Sequence, residues 1–171
     1  MKKLFFLLTM SSLFLLSCTG KSGNKTINNV QNYKEVNQVT RPFSDLTKAD
    51  TFRVVLSGSK PKDMLLTFRI IAFNGKEIYQ KTLKAAELIN NYKASVDLKK
   101  ELNLFLEEEN FLEPAVVATE QPDQNTKDKL FYAELKKSGL NGFKYRLGKD
   151  SELYIAWSEK EQKVKVYYQC C

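Results

Sequence analysis

The clearest pattern in the chain lies at its end. Phe143, Tyr145 and Leu147 alternate with Lys144 and Arg146; Leu153, Ile155 and Trp157 alternate with Tyr154 and Ala156. Val164, Val166 and Tyr168 then alternate with Lys163, Lys165 and Tyr167. Successive side chains of a strand point to opposite faces, so this period of two predicts three strands, each apolar on one side. Gly148 to Ser151 and Ser158 to Gln162 supply the turns. Together they read as a three-stranded antiparallel meander with one face inward and one wet.

The same signals begin at Thr51. Phe52-Arg53-Val54-Val55-Leu56 reads as a strand ended by Ser57-Gly58-Ser59-Lys60-Pro61. Met64 to Phe73 is a second, with Met64, Leu66, Phe68, Ile70 and Ala72 on one face and Leu65, Ile71 and Phe73 on the other. Apolar groups on both faces predict a central strand. Asn74-Gly75 accepts the positive φ of a tight hairpin, so Lys76 to Leu83 should pair back antiparallel.

Between these strands the period changes. Leu98, Leu102, Phe105 and Leu106 form one stripe of a helix capped by Asp97 and running to about Glu109. A shorter helix is expected over Ala85 to Asn91, and another over Lys127 to Ser138, capped by Asn125 and ending in Lys136, Lys137 and Gly139. Phe111 to Thr119 reads as extended and broken by Pro114, with a loop from Gln121 to Thr126. Strands, then helices, then strands predict an α+β domain: a mainly antiparallel sheet with two or three helices packed on one face and a C-terminal meander.

The first residues have a different character. Lys2 and Lys3 precede an apolar run, Leu4 to Leu16, that spans about 20 Å as a helix, too short for a hydrocarbon core of roughly 30 Å. That is the length of a secretory signal. It closes on Leu15-Leu16-Ser17-Cys18, which resembles the lipobox of bacterial lipoproteins. The resemblance implies cleavage after Ser17 and a diacylglycerol on the thiol of Cys18, with the new amine often acylated. It therefore implies attachment to a membrane through lipid. Thr19, in place of an aspartate after the cysteine, implies the outer membrane over the inner one.

Thr19 to about Asp50 is polar, with only Ile27, Val30, Tyr33, Val36 and Val39 scattered through it. It reads as a tether whose ends lie on the order of 30 Å apart, with Arg41-Pro42-Phe43 as the place where the chain first docks. The expected organisation is a signal peptide over 1–17, a lipidated cysteine and tether over 18–50, and a globular domain over 51–171. This layout resembles that of small lipoproteins of Bacteroidota-type bacteria, which implies no particular activity.

Composition narrows the chemistry. The 171 residues include 27 Lys plus Arg against 20 Asp plus Glu, three Cys and no His. Without imidazole, Ser-His-Asp triads and histidine-based zinc sites are excluded. Gly-x-x-x-x-Gly-Lys and Gly-x-Ser-x-Gly spacings are absent, so no catalytic residue, metal ligand or cofactor is assigned. The lysine excess favours anionic surfaces in a general way. It does not mark a nucleic-acid partner, and export makes one less expected still.

Three features remain. Cys170 and Cys171 read as one inward thiol and one outward thiol at a frayed end, or as a vicinal disulfide, an intermolecular disulfide or a soft-metal site. Glu107-Glu108-Glu109, near Glu101 and Glu113, fans around a helix end and reads as a solvated patch. Lys144, Arg146, Lys163 and Lys165, interleaved with Tyr154 and Tyr167, form a candidate binding face for a protein or glycan partner. The functional expectation is an envelope lipoprotein acting as a non-enzymatic binding or structural module. A redox or soft-metal protein built on Cys170 and Cys171 is the alternative.

Overall fold

A computed structural model describes residues 33–88, 95–148 and 150–171. The signal segment, Cys18 and the first part of the expected tether lie outside the described residues, as does the end of the helix expected to reach Asn91.

Among the described residues, eight strands form two antiparallel sheets of four. The first contains β1 (Tyr33–Pro42), β2 (Ala49–Gly58), β3 (Leu65–Ile71) and β4 (Glu77–Lys84); the second contains β5 (Phe111–Leu112), β6 (Gly142–Arg146), β7 (Glu152–Ser158) and β8 (Lys163–Cys170). Each sheet runs in chain order, a simple meander. Three α-helices, α1 (Ala85–Leu88), α2 (Ser95–Leu104) and α3 (Lys129–Ser138), and two short 3-10 turns, Pro61–Asp63 and Glu108–Asn110, complete the described elements. The architecture is α+β only in a loose sense, since strands dominate. Instead of one sheet with helices on a face, two sheets pack against each other.

Alternation explains the shared core. Phe52, Val54 and Leu56 of β2 and Leu66, Phe68 and Ile70 of β3 are at most 1% exposed. Across from them lie Phe143, Tyr145, Leu153 and Ile155 of the second sheet, with Leu102, Phe105 and Leu106 from α2 and its C-terminal end filling one side. The Asn74-Gly75 turn forms as expected: the Gly75 amide donates to the Ala72 carbonyl at 2.8 Å, with Gly75 at φ 84°. The other face of β3 is open, with Leu65 at 42% and Phe73 at 49% exposure. Its central position comes from pairing on both edges, with β2 and β4.

Four expectations need correction. Residues 33–42 are already a strand, so the tether does not extend to Asp50: β1 pairs with β2 from Tyr33 opposite Gly58 to Pro42 opposite Ala49. Alternation is hard to see there because the inward positions include polar residues. Glu35 pairs with Lys99 of α2 at 2.9 Å, and the Asn37 amide donates to Asn103 at 3.4 Å. Secondly, α2 starts at Ser95, so Asp97 lies within it and does not cap it.

The third correction concerns α3, whose cap is Asp128 and not Asn125: the Asp128 carboxylate accepts the Phe131 amide at 3.0 Å. Asn125 instead holds β8, its carbonyl accepting the Gln169 amide at 3.2 Å. Asp128→Ala is expected to lower the unfolding free energy by about 1 kcal/mol in urea denaturation at neutral pH. The bond from Lys165, then the Phe131 amide, holds the Asp128 carboxyl below the usual aspartate range. Because the folded pKa lies below the unfolded one, this stabilisation is present at neutral pH and is lost as the pH falls through the folded value. The gap between wild type and variant should therefore close in acid.

The fourth correction is a bulge. Tyr154 pairs with Tyr168, but its neighbour Ile155 pairs with Val166, leaving Tyr167 as an extra residue. Val164 and Val166 pack on the core between the sheets, whereas Tyr167 and Tyr168 both pack on the opposite side. Tyr167, expected to be wet, is 3% exposed.

Candidate functional site

The outer face of the second sheet is largely covered. Phe131, Tyr132 and Leu135 of α3 pack with Ala156 and Tyr167, and the chain at Ala115 and Val116 joins them. Gly142 permits this approach: a Cβ there would lie 2.8 Å from the Ala115 Cβ. The Ser158 hydroxyl donates to Glu134 at 2.9 Å and ties α3 to the end of β7. Alternation predicts this face to be wet, and the structure covers it instead, with a helix and a loop.

The six residues of the expected binding face consequently separate. Arg146 pairs with Glu101 of α2, and with Lys144, Tyr145, Glu109 and Glu152 it lines a cleft of about 320 Å³. The Lys165 ammonium pairs with Asp128 at 2.8 Å and with Glu161, and lies 4.8 Å from the centre of the Phe131 ring. Lys163 pairs with Glu161 at 2.7 Å. Three of the four cations are thus held by carboxylates of the protein. They do not form a free basic grip.

Tyr154 and Tyr167 enter a different arrangement. Their ring centres are 6.1 Å apart; Tyr154 also meets Tyr168 edge-on at 5.1 Å, and Tyr167 meets Tyr132 at 6.3 Å. These four tyrosines, with Leu112, Pro114, Val117, Glu120 and Asp123 among their neighbours, line a cleft of about 500 Å³. The Tyr167 hydroxyl donates to the Ala115 carbonyl at 2.8 Å, Tyr168 to Asp123 at 2.9 Å and Tyr154 to Glu152 at 3.1 Å. The Tyr132 ring is buried, while its hydroxyl reaches the cleft surface and has no hydrogen-bond partner among the described residues. Burial, followed by the charges of Glu120 and Asp123, pushes the Tyr132 phenol up. Burial dominates in raising Tyr154 and Tyr167 as well. At neutral pH all three are neutral phenols, able to donate a hydrogen bond or present a ring face.

Both carboxylates are partly used. Glu120 accepts the Val117 amide at 3.1 Å, and Asp123 accepts the Asn125 amide at 2.8 Å. Neither has an ion pair with a basic side chain among the described residues. Tyr132 and Tyr168 extend the expected site, but they come from an amphipathic helix and from an alternation displaced by the bulge. Their shared location has no local signature.

Cys170 is shifted away from thiolate. Cys170 is half-buried at the end of β8, opposite Glu152, and Cys171 is exposed; both are free. The adjoining Cys171 thiol, then burial, pushes Cys170 up to about 11. A reactive cysteine needs the opposite shift, towards thiolate. In the acidic patch, Glu108 pairs with Arg41 while Glu107 and Glu109 face solvent. Among the described residues no three His, Cys, Asp or Glu groups converge as metal ligands, and no helix is long and apolar enough to cross a membrane.

The chain matches no protein family, no curated protein and no solved structure.

Proposed function

We propose that this is a lipid-anchored protein of the bacterial cell envelope, attached through Cys18 and facing the outer membrane in preference to the inner. Its domain acts without catalysis, binding a protein partner that presents a lysine or arginine side chain to the tyrosine cleft. The anchor rests on the order of charge, apolar run, Ser17 and Cys18 at the start of the chain. An acyl chain contributes about 0.8 kcal/mol per buried methylene, so two or three chains hold a domain in which no described helix is long and apolar enough to cross a membrane.

The observation that carries the binding role is the Tyr132 hydroxyl, which opens on the cleft without a partner among the described residues, beside the Glu120 and Asp123 carboxylates, neither of which has an ion pair there. An arriving ammonium or guanidinium can meet the charge of Glu120 and Asp123 while its stem lies against the tyrosines. Cation–π contacts of this kind contribute about 0.5–2 kcal/mol. The high pKa of Cys170 supports a structural thiol over a redox one.

One pair of experiments tests both halves. In cells fed an alkynyl fatty acid, the wild-type chain is expected to take up the label, and Cys18→Ala is expected to lose it and leave the membrane fraction. Persistent labelling of Cys18→Ala would overturn the anchor. For the cleft, titration with a lysine-rich peptide should perturb tyrosine fluorescence, and the pair Tyr154→Ala with Tyr168→Ala should weaken binding about tenfold. Equal affinity for both proteins would remove the cleft as the binding site.

A further inference from the structure

The open cationic surface of this protein lies on the other sheet. Strand register places Gln38, Arg53, Arg69 and Gln80 in one row across β1 to β4. Arg53 and Arg69 are therefore direct cross-strand neighbours, an arrangement that destabilises a sheet when two like charges oppose each other without compensation. Arg69 has one counter-ion, Glu77 at 3.5 Å. Arg53 has no ion-pair or hydrogen-bond partner among the described residues, and its Nε is sealed from solvent without an acceptor. The guanidinium charge is thus carried into the surface with nothing from the described residues to balance it.

The surroundings share that character. Lys34, Ser57, Thr67 and Val55 complete a shallow depression of about 490 Å³ around the two arginines, and no acidic residue lines it. Two planar guanidinium groups, an ammonium and two hydroxyls offer donors from several directions. Arginine matches such anions well because its nitrogens form paired bonds to two oxygens. A tetrahedral group carrying up to two charges uses this donor set more fully than a single carboxylate does.

We propose that the outer face of the first sheet is a phosphate-binding site, in which a phosphate group sits between Arg53 and Arg69 with Lys34, Ser57 and Thr67 around it. The phosphate belongs either to a free anion or to a lipid headgroup. The second source rests on the lipid anchor, since β1 starts at Tyr33, close after Cys18 in the chain. The first source does not.

The test uses the full-length chain in neutral detergent, titrated with inorganic phosphate and followed through the arginine Nε–H signals by NMR. A second arm places the same protein in phosphatidylcholine vesicles with or without phosphatidylglycerol and follows amide exchange in β2 and β3. Saturable shifts at Arg53 and Arg69, weakened tenfold or more in the double variant Arg53→Gln with Arg69→Gln, establish a site for free phosphate. Protection of β2 and β3 only in vesicles containing phosphatidylglycerol, lost in that variant, assigns the site to a headgroup. Both residues reach solvent, and an unchanged amide spectrum shows that the variant folds. If neither response occurs, or if both persist in the variant, the proposal is overturned. Failure of fatty-acid labelling at Cys18 leaves the phosphate arm intact, so the two readings fail separately.

Discussion

Phe68→Ala is expected to lower the free energy of unfolding by about 3–5 kcal/mol. Phe68 is fully buried and its ring meets aromatic rings from both sheets and from the segment after α2. Its ring centre lies 5.1 Å from Phe143 and 5.5 Å from Tyr145 in the opposite sheet. It also lies 5.1 Å from Phe105 beyond α2 and 5.7 Å from Tyr79 on β4. The truncation removes apolar area and leaves a cavity that both sheets and the helix must line, which limits collapse. Domains of this size unfold with about 5–15 kcal/mol, so one substitution removes roughly a fifth or more of the total. Leu65→Ala is the natural comparison. It lies on the same strand but is 42% exposed on the open face, and a loss of about 1 kcal/mol or less is expected. Urea denaturation of both variants checks the claim. Equal losses would mean that the sheets do not meet across Phe68.

Asp50→Ala is expected to cost about 2–3 kcal/mol, from two partly buried amides that lose their acceptor. Asp50 occupies the inward row of β2, in line with Phe52, Val54 and Leu56, and is fully buried. Its carboxylate accepts the Ser44 amide at 2.7 Å and the Phe73 amide at 2.8 Å. One side chain thus fastens the turn between β1 and β2 to the turn between β3 and β4. Asp50→Asn keeps one acceptor oxygen, so its expected loss is about half as large. Hydrogen exchange provides a local readout: Ser44 and Phe73 should lose protection in Asp50→Ala before the strand amides of β2 do. Unchanged protection at both would show that the carboxylate is not what holds the turns.

The inward row of β2 also shows how far local pattern reaches. Phe52, Val54 and Leu56 are legible as core because alternation is a property of the strand itself. Asp50, at the end of the same row, looks like an ordinary polar boundary. Its role appears only when two turns distant in sequence converge on it. β1 illustrates the same limit, since Glu35 and Asn37 face inward to meet Lys99 and Asn103 of α2. Polar residues at inward positions erase the two-residue period when the neighbour that satisfies them is elsewhere in the chain.

The candidate site follows that rule. Tyr154 and Tyr167 are prominent in the sequence because they alternate with core residues, and the prominence led to an open face with four cations. Pairing of Arg146 with Glu101, and of Lys165 with Asp128 and Glu161, depends on contacts that no local period records. The basic surface that does stay open, at Arg53 and Arg69, depends on the register of β2 with β3. Neither arginine is conspicuous in its own strand.

By itself the amino-acid sequence determined most of the turns and strand positions, the apolar row of each central strand, and the resemblance of Leu15-Leu16-Ser17-Cys18 to a lipidation signal, because each is encoded within a few neighbouring residues. Only the tertiary structure decided that the strands divide between two packed sheets, that α3 covers the outer face of the second, and that a bulge turns Tyr167 towards Tyr132. Those outcomes depend on which distant surfaces exclude water from one another, and on one extra residue in a strand pair. Hydrophobic burial is nondirectional, so alternation marks a face as apolar without naming what will cover it.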